Sequence, residues 1–277
     1  MAKIKLIACD MDGTLLNKDK EIPLENIEAV KLAKEAGVYF VIATGRHDSM
    51  IKAYLDDLHI EMPVISCNGG MVREPFSDKV FALHPLSSEQ TLDIIEAAKG
   101  VGADYHLYCH NLIYGEQVSG KISYYAERNR QLSERDQIRL LTDPDYQGFI
   151  EGTNEEIFKV LVLCDDPEKL AAAGDEIHRR TGIRATQSDK NLIDVMQSGI
   201  TKAGAMAELC KGLGIKQEET AAIGDQLNDL QMIKWAGVGV AMANAVDEIK
   251  AASQLVTEKS NHDSGVAEAI KKLLKLT

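Results

Sequence analysis

Asp10 and Asp12 follow directly on an apolar run at residues 4–9, in the order Asp10-Met-Asp12-Gly13-Thr14-Leu15. In an extended segment, residues two apart share a face, so the two carboxylates stand side by side where the run ends. One can attack an electrophile while its neighbour moves a proton. Gly13 lets the chain turn sharply, and Thr14 offers a backbone N–H and a hydroxyl to an anion. An acidic strand-to-turn junction without chemical use has the same composition, because Asp and Gly are common turn formers. Three further polar clusters bear on the choice: Thr44-Gly45-Arg46, Lys202, and Gly224-Asp225-Gln-Leu-Asn228-Asp229.

Each cluster falls where a strand-like run gives way to a helical one. Strand-like runs at residues 3–9, 38–43 and 64–67 alternate with amphipathic helical stretches at 24–36 and 47–58, the βαβαβ rhythm of a parallel sheet covered on both faces. Pro23 suits the first helix's opening turn and Gly37 its end. After Asn68-Gly69-Gly70 the pattern changes. A hairpin is expected around residues 74–78, a capping box at Ser87-Ser-Glu-Gln90, another hairpin from 105–109 to 112–114, a strand at 157–164 and a helix opening at Asp166-Pro167. From 191 the α/β rhythm returns, with strands at 192–196, 220–224 and 238–242 and helices at 202–213, 227–236 and 264–274. The expected fold is α/β, a Rossmann-like doubly wound parallel sheet with an inserted α+β cap domain. Residues 1–83 and 191–277 form the core domain and 84–190 the cap. In open parallel sheets the ligand crevice lies beyond the carboxyl ends of the strands, where all four clusters fall.

With 277 residues the chain has room for two domains. Its 31 Lys and Arg against 43 Asp and Glu leave a formal charge of -12, which disfavours a nucleic-acid partner. No stretch reaches the roughly 18 apolar residues of a membrane span, so a cytoplasmic protein without a membrane partner is expected. Its five cysteines are widely spaced with no C-x-x-C pair, and the histidines show no zinc-ligand spacing. Cys109, His106 and His110 cluster in sequence but are read as ordinary side chains. The charged stretch at 127–139 is read as a solvated helical face.

The order and spacing of the four clusters resemble the haloacid dehalogenase superfamily of phosphatases, and within it the Cof-like branch, across nearly the whole chain. Asp10-Met-Asp-Gly-Thr-Leu15 matches the first motif, Ala43-Thr-Gly-Arg46 the second, Ser198-Gly-Ile-Thr-Lys202 the third and Gly224-Asp-Gln-Leu-Asn-Asp229 the fourth. Segments 237–244 and 261–267 are similar to the branch's closing segments. Leu227, where an acidic residue is frequent, and Ser264 depart from the pattern without touching a position used for chemistry.

The resemblance implies that Asp10 attacks phosphorus and becomes an aspartyl phosphate, while Asp12 protonates the leaving alkoxide and then deprotonates water. That division needs Asp12 protonated and Asp10 ionised at the outset, and two close carboxylates separate their protonation states in this way. A carboxylate nearing a phosphate dianion meets repulsion of about 4 kcal/mol per charge pair at 4 Å for an effective dielectric near 20, which one lysine cannot offset. Asp10, the Asp12 carbonyl, Asp225 and Asp229 would hold a divalent cation, and an oxygen-only ligand set favours Mg2+. Asp225 and Asp229 could otherwise serve as helix caps. Thr44 and Lys202 would hold phosphoryl oxygens, assisted by the amides that follow Thr44, at Gly45 and Arg46. Arg46, Asn68 and Asn228 stand in the same crevice by the family pattern, as substrate contacts or as braces and caps. Thr201 could cap the helix carrying Lys202.

The expected function is a magnesium-dependent phosphatase acting on a small phosphorylated metabolite, a sugar phosphate in the first instance, with the cap choosing the substrate. Tyr108, Tyr114 and Tyr124 could face a sugar or pack a core. A phosphohexomutase using the same aspartate pair and a non-catalytic metabolite sensor are the alternatives. Oligomeric state is left open.

Overall fold

The computed structural model describes residues 3–77 and 79–275, so Asp78, in the turn of the first expected hairpin, lies outside the described residues. The chain divides into two compact units, Met1–Leu83 with Ile200–Thr277, and His84–Gly199. In the first unit β1 (Leu6–Cys9), α1 (Leu24–Glu35), β2 (Tyr39–Ile42), α2 (Lys52–Asp57), β3 (Val64–Ser66), β4 (Met71–Arg73) and β5 (Val80–Leu83) follow in order. The second holds α3 (Ser88–Gly100), β6 (Asp104–Cys109), β7 (Ile113–Gly115), α4 (Gly120–Asn129), β8 (Leu140–Thr142), α5 (Tyr146–Gly152), β9 (Ile157–Leu163), α6 (Pro167–Thr181), β10 (Thr186–Asp189) and β11 (Leu192–Val195). The chain returns to the first with α7 (Lys202–Leu213), β12 (Thr220–Gly224), α8 (Leu230–Trp235), β13 (Val238–Ala241), α9 (Asp247–Ala252), β14 (Leu255–Val256) and α10 (Gly265–Leu274).

The main sheet of the first unit is wholly parallel, in the order β14-β13-β12-β1-β2. A single parallel bridge from Ala43 to Ile65 continues it toward β3. From β1 the chain moves outward to β2, whereas from β12 it moves the opposite way to β13 and β14. The order therefore reverses between β1 and β12, and a crevice opens at their carboxyl ends. Every residue of β1 and of β12 is buried, as a strand covered on both faces requires. Burying Leu6 and Ile7 completely contributes roughly 1.5–3 kcal/mol each, which anchors β1 up to the residue before Asp10. Helix α1 packs on α10, and α8 packs on α7 and α9.

The second unit is a six-stranded sheet, β10-β11-β9-β6-β7-β8, antiparallel except for the β7–β8 pair. Its core joins Ile94, Ala98, Tyr105, Leu107, Val160, Val162, Ile177 and Val195. The Ser87–Gln90 capping box closes reciprocally at the start of α3, and Asp166 caps α6. Tyr114 stacks on Phe149 at 4.2 Å within this core, which makes it a packing residue. Tyr108 is buried beneath Lys159, and Tyr124 is exposed.

Three expectations change. The strand after residue 191 does not resume the main sheet: β11 pairs antiparallel with β9, Leu192 opposite Leu163, and the division falls after Gly199 rather than after residue 190. All four residues of β11 are buried in the second sheet, and a local apolar run does not reveal which sheet will receive it. The stretch at 127–139 is helical only to Asn129 and then runs through a turn at Glu134–Asp136. The helix expected at 227–236 splits into a 3₁₀ turn, Leu227–Asp229, and α8.

Candidate active site

Asp10 and Asp225 are the residues immediately after β1 and β12, adjacent strands in register, so sheet pairing alone brings them together across more than two hundred residues of chain. The Asp10 N–H donates to the Ile223 carbonyl at 2.9 Å. Gly13 then turns with φ 84°, and a Cβ there would stand 2.4 Å from Asp225 Oδ2, so both backbone shape and close approach require glycine. The Thr14 hydroxyl donates to Asp225 Oδ1 at 2.7 Å, which assigns it to that carboxylate rather than to an incoming anion.

Lys202 begins α7, whose N-terminus Thr201 caps by accepting the Gly204 N–H. Its side chain is fully buried, and Nζ donates to Asp10 Oδ1 at 2.5 Å and to Asp229 Oδ1 at 2.6 Å. Asp229 Oδ2 accepts the N–H groups of Asp225 and Gln226 at 3.0 and 3.2 Å. The capping reading of Asp229 is thus correct for one oxygen, while the other orients the lysine.

Oxygens of Asp10, Asp225 and Asp229 lie within 4.8 Å of one another, all three residues buried. Three carboxylates against one ammonium leave a surplus of negative charge away from water. Burial, then the charge of Asp229, pushes the Asp10 carboxyl up to about 8 against the pull of Lys202. Burial likewise lifts Asp225 to about 6, although the Thr14 hydroxyl opposes the shift. Burial works against the Lys202 ammonium, but Asp10 and Asp229 outweigh it and hold the proton more firmly than usual. Oxygen-only donors with uncompensated charge fit a hard divalent cation.

Asp12 lies beside this cluster and is clamped. Arg46 donates to it twice, Nε to Oδ2 and Nη2 to Oδ1, both at 2.7 Å, and Lys20 Nζ donates to Oδ1 at 2.8 Å. Burial alone would raise the Asp12 carboxyl, but Arg46 and Lys20 hold it at about 2. Around the metal-free site, then, the two neighbours are pushed in opposite directions, the Asp10 carboxyl up and the Asp12 carboxyl down. Two cations reach Asp12, whereas Asp10 must share a single lysine with two other carboxylates.

Thr44 is buried, its N–H donating to the Ile65 carbonyl and its Oγ1 accepting the Arg46 N–H at 3.1 Å. Asn68 adopts φ 54° directly after Cys67 at φ 49°, and its N–H donates to the Thr44 carbonyl at 2.9 Å. Asn228 Nδ2 donates to Asn68 Oδ1 at 3.1 Å, which joins the loop after β3 to the loop after β12. A side chain at Gly45 would press on the Asn68 amide, 3.1 Å away. Asn68 is thus a brace between loops, whatever else it touches.

Asp10, Asp12, Thr44, Gly45, Arg46, Asn68, Lys202, Asp225, Asn228 and Asp229 all fall in the first unit, whereas Tyr108, Tyr114 and Tyr124 fall in the second. Two kinds of supporting residue were not anticipated. Asn244 Nδ2 donates to the Gly13 carbonyl at 2.8 Å while its Oδ1 accepts the Asn261 N–H, and Asn261 Nδ2 donates to the Leu16 carbonyl at 2.8 Å. Both belong to the closing segments, the only sequence signal they carried. Lys20 had no sequence signal at all.

A family model described as haloacid dehalogenase-like hydrolase matches residues 7–270. The phosphatase YwtE of Bacillus subtilis, named for 5-amino-6-(5-phospho-D-ribitylamino)uracil, is 35% identical, with 98% of each chain covered. The pyridoxal phosphate phosphatase YbhA of Escherichia coli is 27% identical over 94% of this chain and 95% of its own. A crystal structure of a haloacid dehalogenase-like hydrolase from Bacteroides thetaiotaomicron superposes with a TM-score of 0.85 at 31% identity, covering 98% of this chain and 100% of the other. The chain belongs to the haloacid dehalogenase-like hydrolases, of the Cof type, and its reaction class is that of the phosphoric monoester hydrolases. Among the described residues no helix is long and apolar enough to cross a membrane.

Proposed function

We propose that the protein is a magnesium-dependent phosphatase of small phosphorylated metabolites, of the sugar-phosphate type, working in the cytoplasm through an aspartyl phosphate on Asp10. The observation that carries this reading is the buried grouping of Asp10, Lys202, Asp225 and Asp229 at the point where the strand order reverses. The names of YwtE and YbhA, each a phosphatase of a small phosphorylated metabolite, support the substrate class. Five cysteines, none of them in a disulfide among the described residues, support a reducing compartment.

Asp10, Asp225 and the Asp12 carbonyl would hold the cation, with Asp229 behind them fixing Lys202. Bound there, Mg2+ would neutralise surplus carboxylate charge and polarise a phosphoryl oxygen. In the first half-reaction an Asp10 oxygen attacks phosphorus, the ester P–O bond breaks, and the leaving alkoxide takes a proton from Asp12. In the second, Asp12 takes a proton from water, the resulting hydroxide attacks phosphorus, and the P–O bond to Asp10 breaks, releasing phosphate and restoring the carboxylate. Asp12 as clamped is ready for the second half-reaction. For the first it must carry a proton, and an arriving phosphate dianion favours this because like charges in proximity raise proton affinity. Lys202 draws charge from the transferring group, and Thr44 has a hydroxyl proton left to donate to it.

The test is phosphate release from a panel of phosphorylated metabolites with Mg2+. Asp10→Asn is expected to abolish turnover while the circular dichroism spectrum is kept, and excess chelator to silence the wild type reversibly. Residual turnover by Asp10→Asn above a hundredth of wild type, or full activity in chelator, would rule the reading out.

A further inference from the structure

Lys20 lies outside all four motifs, in the loop that follows β1. Two cations from separate loops, Lys20 after β1 and Arg46 after β2, converge on the single Asp12 carboxylate and occupy both its oxygens. One side chain ties the two loops together. Tyr54 on α2, 6% exposed, donates its hydroxyl to the Lys20 carbonyl at 2.9 Å, and its ring lies 5.8 Å from the Arg46 guanidinium carbon. Lys20 itself has φ 62°, a backbone shape that side-chain-bearing residues adopt at a cost. Its N–H donation to the Asn17 carbonyl at 3.2 Å and the Tyr54 bond maintain that shape. Exposed ion pairs add little to stability, so the strained, anchored placement of Lys20 calls for another use. The Asp12 side chain is 41% exposed and would otherwise be free to turn.

We propose that Lys20, held in place by Tyr54, is a positioning residue that acts with Arg46 to fix the Asp12 carboxylate in the orientation from which it exchanges a proton with the leaving group. The inference rests on the phosphatase reading above. It predicts a dependence on the leaving group. An alkoxide departs only with a proton, whereas p-nitrophenolate departs without one, so in the first half-reaction, which kcat/KM reports, loose positioning of Asp12 should harm the first and spare the second.

Steady-state kinetics with the alkyl phosphate turned over best in the metabolite panel and with p-nitrophenyl phosphate test this. Positioned acid–base groups contribute about 10²–10⁴-fold, so Lys20→Met, which removes one of three hydrogen bonds to Asp12, should lower kcat/KM on the alkyl ester about tenfold. It should change kcat/KM on the aryl ester less than about twofold, because the hydrolysis step that Asp12 assists for both esters lies outside that ratio. Lys20→Arg should recover most of the loss, and Tyr54→Phe should show the same selectivity in weaker form. Equal losses of kcat/KM on the two esters, or no loss on either, would overturn the inference. A wild type inactive on every alkyl ester would instead overturn the phosphatase reading beneath it, and Asp12→Asn, expected to show the same selectivity more strongly, separates the two failures.

Discussion

Replacing Lys202 with Met tests the charge arrangement at the centre of the site, because the two side chains are close in length and volume and only the ammonium is lost. In the wild type that ammonium donates to Asp10 and to Asp229 at 2.5 and 2.6 Å, with no exposure to water. At an effective dielectric near 20, each contact corresponds to roughly 6 kcal/mol of Coulomb attraction, most of it cancelled by the desolvation of the three groups. Breaking a buried pair leaves an uncompensated charge and costs about 3–5 kcal/mol. The loss should depend on pH. Lys202 pulls the raised Asp10 carboxyl down, so removing the ammonium raises that carboxyl further and makes its ionised form costlier. The penalty therefore grows as pH rises and the folded chain must ionise Asp10 without its counter-charge. Urea unfolding of the metal-free protein should therefore give a destabilisation near the lower end of the range, about 3 kcal/mol, at pH 6 and near the upper end, about 5 kcal/mol, at pH 9. Phosphate release by the variant should be lost at both. A destabilisation below about 1 kcal/mol at either pH would mean that the ammonium is not the counter-charge of a buried cluster, and the account of the site would fall with it.

Two further outcomes follow from the same geometry. The raised Asp10 carboxyl binds a proton more tightly in the folded than in the unfolded chain, so its contribution to stability is fully present below pH 4 and is lost as pH rises toward about 8. Thermal unfolding with chelator should show this decline, and Mg2+ should reverse it; a metal-independent, flat profile between pH 5 and 8 would contradict the reading of the acidic cluster. Gly13→Ala should add about 1–2 kcal/mol of backbone strain at φ 84° and push Asp225 aside, since its Oδ2 lies 2.4 Å from the new Cβ. A shift of about 1 Å in such a group costs on the order of 10² in turnover, so activity should fall far more than the folded fraction seen by circular dichroism; loss of both in proportion would make Gly13 a purely structural residue.

Much of this protein was legible in its linear order. A strand buried on both faces is apolar throughout, so β1, β2 and β12 stand out locally, and polar clusters at their ends are recognisable because parallel sheets place ligands there. Capping chemistry is equally local, which is why Ser87, Asp166 and Thr201 were found as caps where they were expected. Other features depend on partners that no local pattern names. An apolar strand reads the same whichever sheet receives it, so the run at 192–196 does not reveal that β11 pairs with β9. The protonation order of Asp10 and Asp12 follows from which cations reach each carboxylate, and those cations come from residues 20, 46 and 202. Sequence by itself determined the apolar strands of the main sheet, the helix caps, the polar residue types at the strand ends and the family. Tertiary structure alone decided that Lys20 and Tyr54 join the site, that Asn244 and Asn261 brace its first loop, and that the Asp12 carboxyl is pulled down while the Asp10 carboxyl is pushed up, because charge and hydrogen bonding depend on distance in space.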